Sequence, residues 1–324
     1  MKTMEVLIEL KNVKTYYFIP KGLFKTIAVR AVDGVSLTVH RGETVAIVGE
    51  SGSGKTTLGK TAVRLLEPIA GKIIFEGKDI THLKGDMLWF RRKAQMIFQD
   101  PFTSLNPYMT IRQILEEPLI IHKIGDPSER EEIIAKALTE VKLSPPEEFL
   151  SKYPHMLSGG QRQKVGIARA LVLRPDFIVA DEPVSMIDAS SRAEILYLLR
   201  NIQREYKMGI MYITHDIATT KYFSDNIAVM YLGKIVEFGP TSKVLKNPLH
   251  PYTRALMEAV PDPDPSNRFK ERKVIPGEPP SPINPPSGCR FHPRCPYATE
   301  RCKKEEPKFV EVEPDHYVAC YLYE

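Results

Sequence analysis

Three short runs of the chain are almost wholly apolar until they stop at glycine or acidic residues: TVAIVG at 44–49, DFIVADEP at 176–183 and GIMYITHD at 209–216. Apolar runs without alternation predict strands covered on both faces, as in a parallel sheet with helices on each side. Elsewhere the period lengthens. QRQKVGIARALVL sets Val165, Ala168 and Leu171 three residues apart, and SSRAEILYLLRNIQREY puts Ile195, Leu198, Leu199 and Ile202 on one stripe. Both predict amphipathic helices, and the alternation of strand and helix predicts an α/β fold. From about 101 to 157, through EEPLIIHKIG and SEREEIIAKALTEV, the pattern is helical and interrupts that alternation, which predicts a helical subdomain inserted in the sheet domain.

Beyond residue 250 the pattern dissolves. HPYTRALMEAV is a last predicted helix, PDPDP breaks it, and IPGEPPSPINPPSG places six prolines in residues 275–288, which removes backbone donors and favours extended chain. No internal repeat is present. With 43% hydrophobic and 26% charged residues, the composition of all 324 residues is that of a globular protein. That excludes a disordered, collagen-like or channel-forming chain. No run approaches the roughly 18 apolar residues that span a bilayer, and MKTMEVLIELKNV mixes charge into its apolar residues, so a cytoplasmic location is expected. A net charge of +5 suits an anionic ligand or a membrane surface and is too small to argue for nucleic acid. The RRK cluster at 91–93 is expected to be a solvated helix face.

Candidate chemistry begins where the first strand ends. GESGSGKTT, Gly49 to Thr57, has two glycines with four residues between them, followed by Lys and Thr, between a predicted strand and a predicted helix. Gly49, Gly52 and Gly54 allow a backbone that wraps phosphate oxygens with successive N–H groups, and Glu50, Ser51 and Ser53 complete the loop. Lys55 then reaches the terminal phosphates, Thr56 offers a hydroxyl to Mg²⁺, and Thr57 continues into a helix whose positive end faces the nucleotide. A nucleotide–Mg²⁺ site needs further acids, and FIVADE supplies Asp181, to hold the metal through water, and Glu182, to orient and polarise an attacking water. LSGGQRQKV at 157–165 is a second anion-binding helix end, with Ser158 as N-cap and Gly159 and Gly160 leaving amides bare. One nucleotide needs only one such end. A dimer resolves the surplus.

Taken together these residues resemble the ATP-binding subunits of ABC transporters over nearly the whole chain. GESGSGKTT resembles the Walker A loop, Gln99 in IFQDP the Q-loop, LSGGQ the signature, FIVADE Walker B, SMID at 185–188 with Asp188 the D-loop, and His215 in ITHD the switch histidine. Tyr17 looks like the aromatic residue that stacks on adenine, with Tyr16 its competitor. Met186 and Ile187 stand where the family often has Ala and Leu. The resemblance implies a P-loop NTPase core at 5–255, its helical subdomain at about 101–172, and a small irregular cysteine-containing extension at 256–324. It implies ATP and Mg²⁺ as ligands, with Thr56, Asp181 and Gln99 at the metal. Glu182 is implied as the general base, and His215 as the holder of the γ-phosphate and attacking water. It also implies a head-to-tail pair in which Ser158, Gly159, Gly160 and Gln161 serve the other subunit's ATP. The expected partners are a second ABC ATPase subunit in a heterodimer, with a homodimer as the alternative, two transmembrane permease subunits, and an extracellular solute-binding protein indirectly. The expected place is the cytoplasmic face of the membrane, without nucleic acid.

The four cysteines, Cys289, Cys295, Cys302 and Cys320, all lie in the last 36 residues, with gaps of five, six and seventeen. Such gaps are unlike the close pairs of zinc sites, and a reducing cytoplasm disfavours disulfides. Zinc, disulfides and free thiols remain open on the residues alone. HPYTRALMEAVP, IPGEPPSP and GCRFHPRCPYATERC resemble the C-terminal extension of oligopeptide/dipeptide importers, which implies a [4Fe–4S] cluster on the four thiols and peptides as cargo. His292 and His316 are expected at the surface. Related importers carry oligosaccharides or nickel, and two further alternatives are a soluble ABC-type ATPase acting on DNA or ribosomes and a redox-sensing iron–sulfur protein.

Overall fold

The strand Thr44–Val48 is buried at every position, as is Phe177–Asp181, so each is covered on both faces as its unbroken apolar run requires. They belong to a computed structural model that describes residues 5–21, 25–83, 85–259 and 277–324; PDPDP at 261–265 and the start of the proline-rich run lie outside the described residues. The chain forms two compact units that interleave in sequence. One is built mainly from Leu83–Met211, the other from Ile8–Val39, Thr44–His82 and Tyr212–Glu324.

In the first unit, Ala94–Ile97 pairs in parallel with Phe177–Asp181, from Ala94 opposite Phe177 to Ile97 opposite Ala180. Helices Pro101–Ser104, Ile111–Ile121, Pro127–Glu140, Glu147–Leu150, Gly159–Leu171 and Ala189–Tyr206 make up the rest of its main elements. Their starts are written in the sequence. Thr110 with Gln113, Asp126 with Glu129 and Ser158 with Gln161 each form a reciprocal capping box. The stripe Ile111, Ile114, Leu115 and Leu119 is buried, as are Val165, Ala168 and Leu171 and the stripe Ile195, Leu198, Leu199 and Ile202. Arg174 donates to both oxygens of Glu140 at 2.9 and 2.8 Å and Tyr206 donates to Glu140 Oε1 at 2.6 Å, tying the long helices together. Arg91 and Arg92 are exposed on Leu88–Lys93, the solvated helix face expected.

In the second unit, Thr44–Val48 runs parallel to Asn226–Tyr231, with Val45 opposite Asn226 and Val48 opposite Val229. Three antiparallel strands follow outward: Lys234–Pro240, His316–Ala319 and Phe309–Glu313. The C-terminal extension therefore contributes two strands to the sheet that carries the phosphate loop, with Glu237 opposite Val318 and Phe238 opposite Tyr317. A separate antiparallel sheet has the order Lys25–His40, Val6–Lys21, Ala70–Phe75, Lys78–Asp79. Arg30 N–H donates to the Pro282 carbonyl at 3.1 Å, which anchors the described part of the proline-rich run. Among the described residues, no helix is long and apolar enough to cross a membrane.

Candidate functional site

The phosphate loop follows directly from the buried strand Thr44–Val48. A Cβ at Gly49 would meet the Met230 carbonyl, and one at Gly54, whose φ is 103°, would meet the Ala31 carbonyl. Neither position admits another residue. At Gly52, φ is 78° and nothing lies within 4 Å of where a Cβ would stand, so the loop is uncrowded at this exposed position. The helix Lys55–Ala62 has no side-chain cap and no acid in its first turn, which leaves its positive end for an anion. Lys55, 5% exposed, donates Nζ–H to the Gly49 and Glu50 carbonyls at 2.8 and 2.9 Å. Ser53 Oγ is buried and has no hydrogen-bond partner among the described residues. A buried hydroxyl facing an open, cation-lined loop fits the phosphates of a nucleotide.

Glu50 is held from three directions. Its carboxylate accepts from Arg294 Nη1 and Nη2 at 2.8 and 3.1 Å, its N–H donates to the Tyr252 hydroxyl at 2.7 Å, and its carbonyl accepts from Lys55. Burial would depress the Arg294 guanidinium, but its hydrogen bonds to Glu50 and Tyr231 outweigh that and raise it, so it stays charged. Burial pushes the Tyr252 phenol up and keeps it neutral. Tyr252, Tyr231 and Phe291 pack as an aromatic cluster beneath, with centroid separations of 4.7, 5.2 and 5.5 Å.

The two candidate adenine-stacking tyrosines differ sharply. Tyr16 donates to Asp33 at 2.6 Å, and burial followed by that bond pushes its phenol up to about 12. Tyr17 is 40% exposed, with its hydroxyl 3.3 Å from Thr57 Oγ1. Tyr16 is thus occupied within the fold while the Tyr17 ring presents surface. His215 is exposed just after the strand Gly209–Thr214, and Asp216 caps the next helix by accepting from Ala218 N–H.

In the other unit the acids at the end of Phe177–Asp181 are set by a backbone turn. Asp181 is 3% exposed, whereas Glu182 has a left-handed φ of 44° that rolls its carboxylate outward. Gln99 Nε2 donates to Glu182 Oε2 at 2.9 Å, so two residues separated by 83 positions meet. The Glu182 carbonyl accepts from Ser185 N–H at 3.1 Å, starting the turn that ends at Asp188, which caps Ala189–Tyr206 by accepting from Ser191 N–H. Ser158 Oγ accepts from Gln161 N–H at 3.2 Å and Gln161 Oε1 accepts from Ser158 N–H at 3.0 Å, leaving the Gly159 and Gly160 amides outside the capping box. Beside the glycine pair stand Met186, Ile187 and Ser191.

The cysteines gather as well. Cys289, Cys295, Cys302 and Cys320 line one cavity of about 60 Å³, together with His250, Phe291 and other residues. All four are free thiols. Burial, and then the neighbouring thiols, push Cys289 up to about 11; burial also raises Cys295 and Cys320. Among the described residues, no three His, Cys, Asp or Glu side chains form a group for a single metal ion. His316 is not a surface residue: it is 0% exposed, with Nε2 2.8 Å from Glu237 Oε1, because the C-terminal hairpin buries it against Lys234–Pro240.

Arg294 and Glu237 have no place in the motif reading, since their partners Glu50 and His316 are distant in sequence, and HPYTRALMEAVP did not announce what His250 and Tyr252 bond. HPY at 250–252 and the arginine between two cysteines were the only signals available.

Comparison with known proteins agrees with this geometry. The ABC transporter family model matches residues 32–185, and the model of the oligopeptide/dipeptide transporter C-terminal region matches 236–302. The oligopeptide transport ATP-binding protein AppF of Bacillus subtilis (strain 168) is 48% identical over 324 residues, covering 98% of each chain. A putative peptide import ATP-binding protein of Brucella ovis is 49% identical, covering 91% of this chain and 93% of its own. Among solved structures, the dimeric post-hydrolysis state of the ATP-binding cassette MJ0796 bound to ADP and Pi superposes with a TM-score of 0.64 at 31% identity, over 72% of this chain and 99% of that one. The chain belongs to the ABC transporter ATPases, with the P-loop fold of that family and the C-terminal region of its oligopeptide/dipeptide branch.

Proposed function

We propose that this chain is the ATP-hydrolysing subunit of a peptide importer, working on the cytoplasmic face of a membrane with a second ATPase subunit and two permease subunits. The observation that carries the catalytic part is the Gln99–Glu182 hydrogen bond of 2.9 Å. It gives the candidate base a polar partner that can sense the metal and release it. The relatives' names, as peptide-import ATP-binding proteins, support the cargo class.

In this reading the amides of Gly49–Thr57 wrap the phosphates, and Lys55 leaves the Gly49 and Glu50 carbonyls for the β- and γ-phosphates. Thr56, Asp181 and Gln99 would hold Mg²⁺, which would neutralise charge on the phosphates. Tyr17 stacks on adenine. Glu182 accepts a proton from the water whose oxygen attacks the γ-phosphorus; the bond from that phosphorus to the β,γ-bridging oxygen breaks, and ADP leaves with that oxygen. His215 steadies the γ-phosphate and the water. Ser158, Gly159, Gly160 and Gln161 supply donors to the ATP on the opposite subunit, and Asp188 sits at that interface. The dimeric form of the MJ0796 cassette is the kind of assembly this requires.

For the cysteines the same reading places a [4Fe–4S] cluster on Cys289, Cys295, Cys302 and Cys320. Four sulfur donors around one void are the donor set such a group uses. Buried thiols resist ionising alone, and an iron-bearing group supplies the positive charge that makes thiolates stable there. When bound, the cluster replaces a hydrophobic core in a segment poor in apolar residues.

Glu182→Gln tests the catalytic assignment. The variant is expected to bind ATP·Mg²⁺ as tightly as the native protein while hydrolysis falls by at least about 10²-fold; turnover within about threefold of native would remove Glu182 as the base.

A further inference from the structure

The wall of the cysteine cavity contains a nitrogen that nothing else in the described structure uses. His250 lines that cavity and is 1% exposed. Its ring packs on Phe291 with centroids 5.6 Å apart. Its Nδ1 accepts the Tyr252 N–H at 3.0 Å. A ring nitrogen that accepts cannot carry a proton, so the proton of the neutral imidazole lies on Nε2. That Nε2 is buried and has no hydrogen-bond partner. A buried N–H normally finds an acceptor, and the acceptors characteristic of this cavity are sulfur atoms. Two further polar groups of its wall are engaged: Thr299 Oγ1 lies 3.3 Å from Cys302 Sγ, and His292 Nδ1 lies 3.0 Å from the Cys289 carbonyl.

We infer that His250 donates its Nε2–H to a sulfur of the iron–sulfur group held by Cys289, Cys295, Cys302 and Cys320. The inference rests on the four-cysteine reading above. It explains why a histidine stands at the start of the helix Pro251–Glu258, where His250 is the N-cap. Accepting the Tyr252 amide is a task that Asp or Ser performs as well; the imidazole adds a donor at the far side of its ring. The three residues then have separate tasks. His250 faces the sulfur group, Pro251 starts the helix, and Tyr252 holds the Glu50 amide of the phosphate loop at 2.7 Å. One run of hydrogen bonds, from Nε2 through Nδ1 to the Tyr252 amide, and from the Tyr252 hydroxyl to Glu50, joins the cavity to the nucleotide loop. A donor to cluster sulfur stabilises the more negative, reduced form, so it raises the reduction potential.

The test uses the full chain purified without oxygen. Iron and acid-labile sulfide are measured first, then the reduction potential by titration, in the native protein, His250→Phe and His250→Gln. Phe keeps a ring and removes the donor; Gln keeps an acceptor for Tyr252 and a donor for the cavity. The expected result is equal iron in all three, a potential shifted negative in His250→Phe, and recovery of most of the shift in His250→Gln. Pulsed EPR of the reduced native protein carrying ¹⁵N-histidine adds a readout that survives a variant failing to fold. It should show a histidine nitrogen coupled to the cluster through an exchangeable proton. Equal potentials in the native and Phe proteins, or no such coupling, would overturn the inference while leaving the cluster in place. Native protein without iron and sulfide would instead overturn the four-cysteine reading, and the inference with it.

Discussion

Glu50 stands second in the phosphate loop, yet its carboxylate is gripped by Arg294, 244 residues further along the chain. Arg294 is 6% exposed and the pair is bidentate, the geometry in which a charge-assisted contact is strong. Arg294→Ala is expected to lower stability by about 2 kcal/mol and to raise KM for ATP several-fold; Arg294→Lys should recover only part, since an ammonium cannot bind both oxygens. Unchanged denaturation and KM would show that the pair holds nothing. The tyrosines give a cleaner split. Tyr17→Ala should weaken ATP binding about tenfold, within the roughly 1–3 kcal/mol typical of a lost aromatic–base stack. Tyr16→Phe should cost roughly 1 kcal/mol of stability through the lost bond to Asp33 and leave nucleotide affinity alone. The reverse pattern in a binding titration would exchange their roles. At this scale the phosphate-loop pattern was readable because Lys55 bonds carbonyls five and six positions before it, whereas Gln99 and Glu182 meet across 83 positions. Arg294 and Tyr252 were illegible, since the value of an arginine or a phenol depends on a partner more than 200 positions away that no local spacing announces.

Strands and helices repeat the lesson with different physics. The expected strands at 44–49, 176–183 and 209–216 correspond to Thr44–Val48, Phe177–Asp181 and Gly209–Thr214, all buried throughout. Unbroken apolar runs leave little choice of environment. The C-terminal extension was expected to be irregular, but Phe309–Glu313 and His316–Ala319 are strands. Phe309–Glu313 carries charge and has no buried position, so its pattern is that of a solvated edge, and pairing across the sheet decides its conformation. Glu237 secures that hairpin from inside. It is 0% exposed and accepts from Leu249 N–H at 2.9 Å, His250 N–H at 2.8 Å and His316 Nε2 at 2.8 Å. His316 escaped expectation for the same reason, since its burial is created by the pairing. Glu237→Ala strands several buried polar groups and is expected to cost about 3 kcal/mol or more. Limited proteolysis should then cut the hairpin before the rest of the chain. A native melting curve would contradict that role.

For the molecule as a whole, each candidate phosphate-binding end lies in a different compact unit, the loop Gly49–Thr57 in one and Gly159–Gly160 in the other. The proposed assembly uses both ends by letting each subunit's glycine pair serve its partner's ATP. The extension belongs to the unit of the phosphate loop and touches it through Arg294. If the four cysteines hold the proposed cluster, its removal is expected to weaken nucleotide binding in a titration.

The most direct test of the paired-subunit account is specific ATPase activity measured across a dilution series, with the second subunit, another copy or a partner, present in equal amount. Activity per subunit should fall as the protein is diluted, in step with the loss of paired mass by light scattering. Activity that stays constant where only single subunits scatter would contradict the account.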